Sequence, residues 1–421
     1  MIQEKEYMLR RELFAQKMAQ FSVAIIGSSS TQTRSNDTEY PFRQDSNLYY
    51  LCGFKEENAS LVFVKKRKKT EVYMFVQKKD KRLELWTGSR LGIAKAKEKF
   101  HVDDVFCSDA FDTKIKEWMS AKGVLYYDFN QSDTRVKKLV KHFLTCKNIA
   151  PIIGKMRLIK SDAEIQLIKK AIAITKEAHH KAMTLSGKLD FEYELQAEIE
   201  YAFKKNGAYS DAYTSIVACG NSANTLHYVN NDKKLVKGEL ILIDAGCEYE
   251  YYASDITRTI PVSGRYSDAQ KELYDMVLDV QLKIIEMIQP GILRSKLHQA
   301  SEKLLCEGMV KLGILKGDVK KLLKKAKHKK YYPHGIGHWM GLDVHDASPY
   351  KDKKNKEIKL QEGMVLTIEP AIYCKKDDTK IPKKFRGIGI RIEDDILVTK
   401  EGYENLSASI AKTTQEIENL S

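Results

Sequence analysis

Short apolar runs separated by amphipathic stretches set the pattern of the first third of the chain. SLVFV (60–64), EVYMFVQ (71–77) and GVLYYDF (123–129) read as strands, and the helical periodicity between them predicts an α/β domain over residues 1–150. The pattern then changes. NIAPIIGKMRLIKS leads into Ser161-Asp162-Ala163-Glu164, a capping box that predicts a helix to about Gly187. Asp190 is the expected cap of a second helix ending before Gly207, and Ser267 to Gln270 opens a third that stops at Pro290-Gly291. Among and after these helices lie the strand patterns ELILIDAG, ITRTIPV, GMVLTIEPAI and GIGIRIEDDILV. Helices and antiparallel strands therefore share residues 151–421, an α+β pattern.

Composition narrows the class. At 421 residues and 43% hydrophobic content, the chain resembles an ordinary globular protein of two or three domains. No apolar run approaches the roughly 18 residues that a membrane span needs. The start, MIQEKEYMLRRELFAQKM, is charged throughout and lacks the apolar centre of a signal peptide, so residence in the cytoplasm is expected. The seven cysteines are dispersed with no C-x-x-C pair, which reads as reduced thiols. Cys219 and Cys247 are expected to be packing residues. The net charge of +14 raises nucleic-acid binding as a question. The lysines are spread along the chain, however, with runs at 65–69 and 320–330. In the second run Leu322, Leu323 and Ala326 recur at helical spacing, which predicts one solvated amphipathic helix. No aromatic side chains interleave to stack bases, so no nucleic-acid partner is expected.

Chemistry concentrates in a few segments. HGIGHWMGLDVHD (334–346) gathers three of the ten histidines in a stretch too glycine-rich for a helix. In ELILIDAGCEYEYYASDITRTIPV, a fold-back between Tyr249 and Glu250 would set Asp244 opposite Asp255. Opposed side chains lie about 4.5–5.5 Å apart at Cβ, so two carboxylates there repel unless a cation sits between them. In GIGIRIED, Ile388, Ile390 and Ile392 face one way and Gly389, Arg391 and Glu393 the other, beside glycines expected to leave room for a ligand. Thr367 and Glu369 share a face in the same manner, and Pro370 ends their strand. Two aspartates, two glutamates and one histidine can surround two divalent ions. An oxygen-rich shell with one imidazole suits manganese, cobalt or iron better than structural zinc. Two ions about 3.5–4 Å apart can share a bridging hydroxide and polarise a carbonyl, which is hydrolytic chemistry.

This constellation resembles the metal-dependent "pita-bread" peptidases, the creatinase/methionine aminopeptidase-like fold, and most closely the Xaa-Pro aminopeptidases (aminopeptidase P). The resemblance extends to RSNDTEYPFRQDSNLYYLCGF and LWTGSRLG in the amino-terminal part. It implies a pita-bread catalytic domain over 151–421 behind an aminopeptidase P-like α/β domain over 1–150. It also implies a metal-dependent aminopeptidase that removes the residue before a second-position proline. Asp244 would bind one metal, Asp255 and Glu393 would bridge both, and His338 and Glu369 would complete the other, with manganese the first choice. Glu369 would also carry the proton to the leaving nitrogen. His227 and His345 would contact the substrate and the developing oxyanion, and His334 would line the proline pocket. Arg391 would contact the peptide beyond the scissile bond, and Tyr373 would stand near the site. Trp86 would reach the proline pocket from a neighbouring subunit, which implies a homo-oligomer, dimer or tetramer. Local sequence around Trp86 predicts a loop, because Thr87-Gly88-Ser89 follow directly. Peptides beginning Xaa-Pro would be the partners, with neither nucleic acid nor membrane involved. Alternatives are a Xaa-Pro dipeptidase (prolidase), a pita-bread protein that binds without catalysis, and a creatinase-like hydrolase.

Overall fold

The computed structural model describes residues 2–67, 69–118, 123–130 and 134–421. Lys68 of the first basic run lies outside them. The chain forms two compact units, Met1–Arg157 and Leu158–Ser421.

The first unit opens with helix α1 (Glu4–Lys17) and is built on a mixed sheet of six strands. These are β1 (Ser22–Gly27), β2 (Ser60–Lys65), β3 (Thr70–Val76), β4 (Asp104–Cys107), β5 (Val124–Tyr127) and β6 (Thr145–Asn148), in the order β4-β3-β2-β1-β5-β6. Val23, Ile25, Val62 and Phe75 pack against Phe111 and Ile115 on one face. Asp45 caps α2 (Ser46–Cys52) by accepting the N–H groups of Asn47 and Leu48. Trp86 is not in a loop. Asp80 accepts from the N–H groups of Arg82 and Leu83 and starts α3 (Lys81–Thr87), which runs through Trp86 to Gly88 at φ +88°. The Trp86 side chain is 80% exposed, so it is no part of this unit's core. The unit continues past the expected boundary at 150. Helix α4 (Ala150–Arg157) is tied to α2, where Tyr50 Oη donates to Met156 O at 3.2 Å and Arg157 donates to Asn47 Oδ1 at 3.0 Å.

The second unit begins with α5 (Asp162–Leu185), and its predicted Ser161–Glu164 capping box is formed. Helix α6 (Glu192–Lys205) is capped at Phe191, not Asp190, because the Glu194 carboxylate reaches back to the N–H groups of both residues. The Ser267–Gln270 box starts α7 (Asp268–Glu286), which ends short of Pro290, and α8 (Arg294–Lys311) follows. The basic run 320–330 is not one helix. It breaks at Ala326, which has φ +51°, and His328 turns inward to Glu302 of α8 at 3.0 Å. No helix among the described residues is long and apolar enough to cross a membrane.

Two antiparallel systems carry the chemistry. In the first, β7 (Ile216–Cys219), β8 (Leu240–Asp244) and β11 (Thr257–Pro261) form a sheet, and β8 extends through the tight hairpin of β9 (Cys247–Tyr249) and β10 (Tyr252–Ala253). The turn residues are Glu250 and Tyr251, both at positive φ (47° and 69°), so the register sits two residues beyond the expected one. Asp244 pairs with Thr257, not Asp255. A shift of two keeps parity, and Asp255 stays on the face of Asp244 as a diagonal neighbour. In the second system β12 (Val365–Ile368) pairs with β15 (Asp394–Val398), and β13 (Ala371–Cys374) pairs with β14 (Ile388–Arg391). Ile368 opposes Asp394 and Ala371 opposes Arg391, and the same register sets Glu369 against Glu393 across the break at Pro370. Ile390 and Ile392 enter the core, while Arg391 and Glu393 take the other face. The space beside Gly389 is not open to a ligand. A Cβ there would lie 2.6 Å from Ala223 O, so the glycine admits a neighbouring backbone.

Candidate active site

A cavity of about 500 Å³ opens in the second unit where the two strand systems meet the 334–346 segment. Asp244, Asp255, His338, Glu369 and Glu393 line it, with His227, His334, His345 and Arg391. Tyr373 stands directly behind this wall. Its hydroxyl lies 3.0 Å from His334 Nε2 and 2.7 Å from Arg391. Trp86 belongs to the other unit and is not among the residues brought together here.

Gly337 explains how a loop delivers a histidine to two strands. A Cβ at this position would lie 1.9 Å from Thr367 O, so only glycine lets the loop lie against β12. Thr367 N–H then donates to His338 O, and His338 N–H donates to Thr367 Oγ1 at 3.1 Å. This close docking aims His338 Nε2 to 3.2 Å from Asp255 and 3.8 Å from Glu369. The ligand atoms of Asp255, His338 and Glu393 all lie within 4.8 Å of one another. Asp244 joins through Tyr213, whose hydroxyl is 2.6 Å from Asp244 and 2.5 Å from Asp255.

The electrostatics follow from crowding acids in a buried space. Burial pushes the Glu393 carboxyl well above its usual range, and the charges of Asp255, Glu369 and Asp244 push it further. Burial also raises Asp255, against the His338 hydrogen bond, and raises Glu369. Burial alone would lower His338, but its bond to Asp255 and the charges of Asp255 and Glu369 outweigh that and lift it to about 9. His334 is driven the other way, down to about 4, by burial and the nearby Arg391 charge. Without a cation the cluster is relieved by the Arg391 guanidinium and by protons held on its members. The donor set of four carboxylates and one imidazole is oxygen-rich, and it fits hard or borderline divalent cations.

Arg391 is buried, and it donates to Asp244 at 2.6 Å, to Tyr373 and, through Nε, to Thr257 Oγ1 at 3.2 Å. Thr257 in turn donates to Glu393 at 2.7 Å. His227 and His345 are exposed at the cavity, and the His345 ring stands edge-on to His338 with centroids 4.2 Å apart. Sequence reasoning missed Tyr213, Thr257 and Asp395. Asp395 is fully buried and accepts the Asp255 N–H at 3.1 Å. Strand parity was an available signal for Thr257, two residues from Asp255, and for Asp395, two from Glu393. Nothing local marks Tyr213.

Residues 166–400 match metallopeptidase family M24, and residues 7–126 match the aminopeptidase P N-terminal domain. The chain belongs to metallopeptidase family M24: it has a pita-bread catalytic domain behind the aminopeptidase P amino-terminal domain, and it is a hydrolase. Within that family its similarity is to the Xaa-Pro aminopeptidases. It is 40% identical to the Xaa-Pro aminopeptidase of Haemophilus influenzae, over 98% of this chain and 95% of that protein. It is 38% identical to the Escherichia coli enzyme, over 100% and 98%. The solved structure of E. coli aminopeptidase P with the inhibitor Pro-Leu superimposes with a TM-score of 0.95 at 38% identity, over 100% of this chain and 98% of that one. Proline aminopeptidase P II from Yersinia pestis gives the same TM-score and identity, over 100% and 99%.

Proposed function

We propose that this chain releases the amino-terminal residue from peptides with proline second, using two divalent cations, manganese the first choice. The observation that carries the reading is the convergence of Asp244, Asp255, His338, Glu369 and Glu393 on one cavity, with the carboxyls of Asp255, Glu369 and Glu393 raised by burial and by neighbouring acids. Asp244, Asp255, His338, Glu369 and Glu393 would hold the cations. When bound, the pair would supply an ionised water as nucleophile and a Lewis acid for the scissile carbonyl.

The chain's own residues do the rest. Glu369 takes the proton from the nucleophile and passes it to the leaving proline nitrogen. His227 and His345 stand at the cavity to donate to the oxygen that gains negative charge. His334, fixed by Tyr373, forms the wall for the proline ring. Arg391 holds Asp244 and Tyr373 in place and faces the peptide beyond the cut. The bond before proline has no N–H, so selectivity must come from ring shape. Trp86 completes the ring pocket from a neighbouring subunit of a dimer or tetramer, and its exposure in α3 supports that placement. All seven cysteines are unpaired, which supports a reducing, cytoplasmic setting.

The test is a comparison of Xaa-Pro-Yaa, Xaa-Ala-Yaa and Xaa-Pro substrates with Mn²⁺ present. The reading requires release of one residue from Xaa-Pro-Yaa and little action on Xaa-Ala-Yaa. Equal rates on those two would refute it, and cleavage of the dipeptide alone would make the protein a prolidase.

A further inference from the structure

We propose that Lys160 is a positioning residue for His345, acting through Asp346; the proposal rests on the substrate-contacting role given to His345 above. Lys160 and Asp346 form an ion pair at 3.2 Å with both side chains 1% exposed. A buried pair of this kind is weak evidence for stability, since apolar side chains of similar volume often stabilise as well or better. What it does supply is a fixed position, and here that position is next to the reacting groups.

Asp346 follows His345 directly and closes the segment that carries it. The Asp346 N–H donates to Trp339 O at 2.8 Å, so the chain from Trp339 to Asp346 forms a closed loop with His345 at its end. Its Oδ2 accepts from Ser348 Oγ at 3.0 Å as well as from Lys160. The start of the same loop is tied elsewhere, with Met340 N–H donating to Val365 O and Gly341 O accepting from Ala253 N–H. Its far end is anchored through Asp346. Lys160 is a firm anchor, because Ser161 caps the 24-residue helix α5 and the Lys160 N–H donates to Gly363 O at 2.8 Å. The path runs from α5 through Lys160 and Asp346 to His345.

Gly341 is shaped around the pair. A Cβ there would lie 2.9 Å from Lys160 Cε and 3.2 Å from Asp346 Oδ2, at a backbone conformation any residue can adopt. Gly341→Ala therefore presses on the pair with both charges retained.

The experiment measures kcat, KM and bound metal for Lys160→Met and Gly341→Ala, each in the parent and in a His345→Ala background. A misplacement of about 1 Å from a change far from the chemistry can cost about 100-fold, so Lys160→Met should lower kcat by about 10–100-fold with KM and metal content nearly unchanged. In the His345→Ala background the same change should have little further effect, because two residues on one path are not additive. Should Lys160→Met fail to fold, Gly341→Ala carries the comparison. An equal fold-loss in both backgrounds, or a loss that tracks missing metal, overturns the assignment while leaving His345 its role. Full activity in His345→Ala alone would instead remove the role of His345, and the proposal with it.

Discussion

Glu393→Gln should make the metal-free protein more stable and the metal-loaded protein inactive. Glu393 is 2% exposed, faces Glu369 across the strands, and shares a 4.8 Å cluster with Asp255 and His338. Two like charges about 4.8 Å apart at an effective permittivity of about 20 repel by about 3 kcal/mol. The folded-state carboxyl is raised, so its contribution is fully favourable below the usual carboxylate range and is lost as pH rises through the folded value. At pH 8, further above the usual carboxylate range than pH 5, that raised carboxyl costs the chelated parent more stability. Glutamine removes it and can still accept from Thr257 Oγ1. His338 and Arg391 offset part of this repulsion while Glu369 and Asp244 add to it, so about 3 kcal/mol sets the scale of the effect. At about 2–4 °C per kcal/mol for a domain of this size, the chelated variant should melt up to about 10 °C above the chelated parent. At pH 5 the gap should shrink. Saturating Mn²⁺ should reverse the order, because the parent gains binding energy and the variant gains little. Thermal melts with EDTA and with Mn²⁺ at both pH values decide it. A chelated variant melting at or below the parent at pH 8 would show that the acids are not held in mutual repulsion.

Three further outcomes follow from single residues. His179 is buried with Nε2 3.0 Å from Ala245 O, and burial lowers it from about 6.5 to about 4; its neutral form supports the fold above pH 6.5, and about 3 kcal/mol should be lost as pH falls toward 4. His179→Gln should flatten the unfolding profile over that window, and parallel profiles for parent and variant would contradict this. Gly337→Ala must push the His338 loop off Thr367 O, so a loss of about 1–3 kcal/mol and weaker metal retention are expected in melts and metal analysis; a stable, fully loaded variant would refute it. Trp86→Ala should shift stability by no more than about 0.5 kcal/mol, because the ring is exposed, yet lower kcat/KM for proline peptides. Full activity, or a strictly monomeric enzyme by sedimentation, would remove that role.

Period-two alternation was enough to separate Ile390 and Ile392 from Arg391 and Glu393, and capping boxes were enough to start α5 and α7. Both signals are local. The hairpin register was less legible because its turn uses Glu250 and Tyr251 at positive φ, where asparagine and glycine are the usual markers. The error was two residues, so the faces survived it. Helix α3 was hidden by Gly88 after Trp86, although Asp80 was a cap in plain view. The space beside Gly389 could be assigned only after Ala223 was seen against it, since a glycine leaves the same gap for a ligand or a backbone. Tyr213 joins Asp244 and Asp255 through tertiary approach alone, and no periodicity encodes that.

A two-cation centre that cuts before proline is checked by titrating Mn²⁺ into fully chelated protein. Release of the first residue from a Xaa-Pro-Yaa peptide is followed against equivalents of metal bound per chain. Turnover should be negligible without metal and reach its full value only as the second equivalent binds. Undiminished activity in the chelated protein, or saturation of both binding and rate at one equivalent, would contradict it.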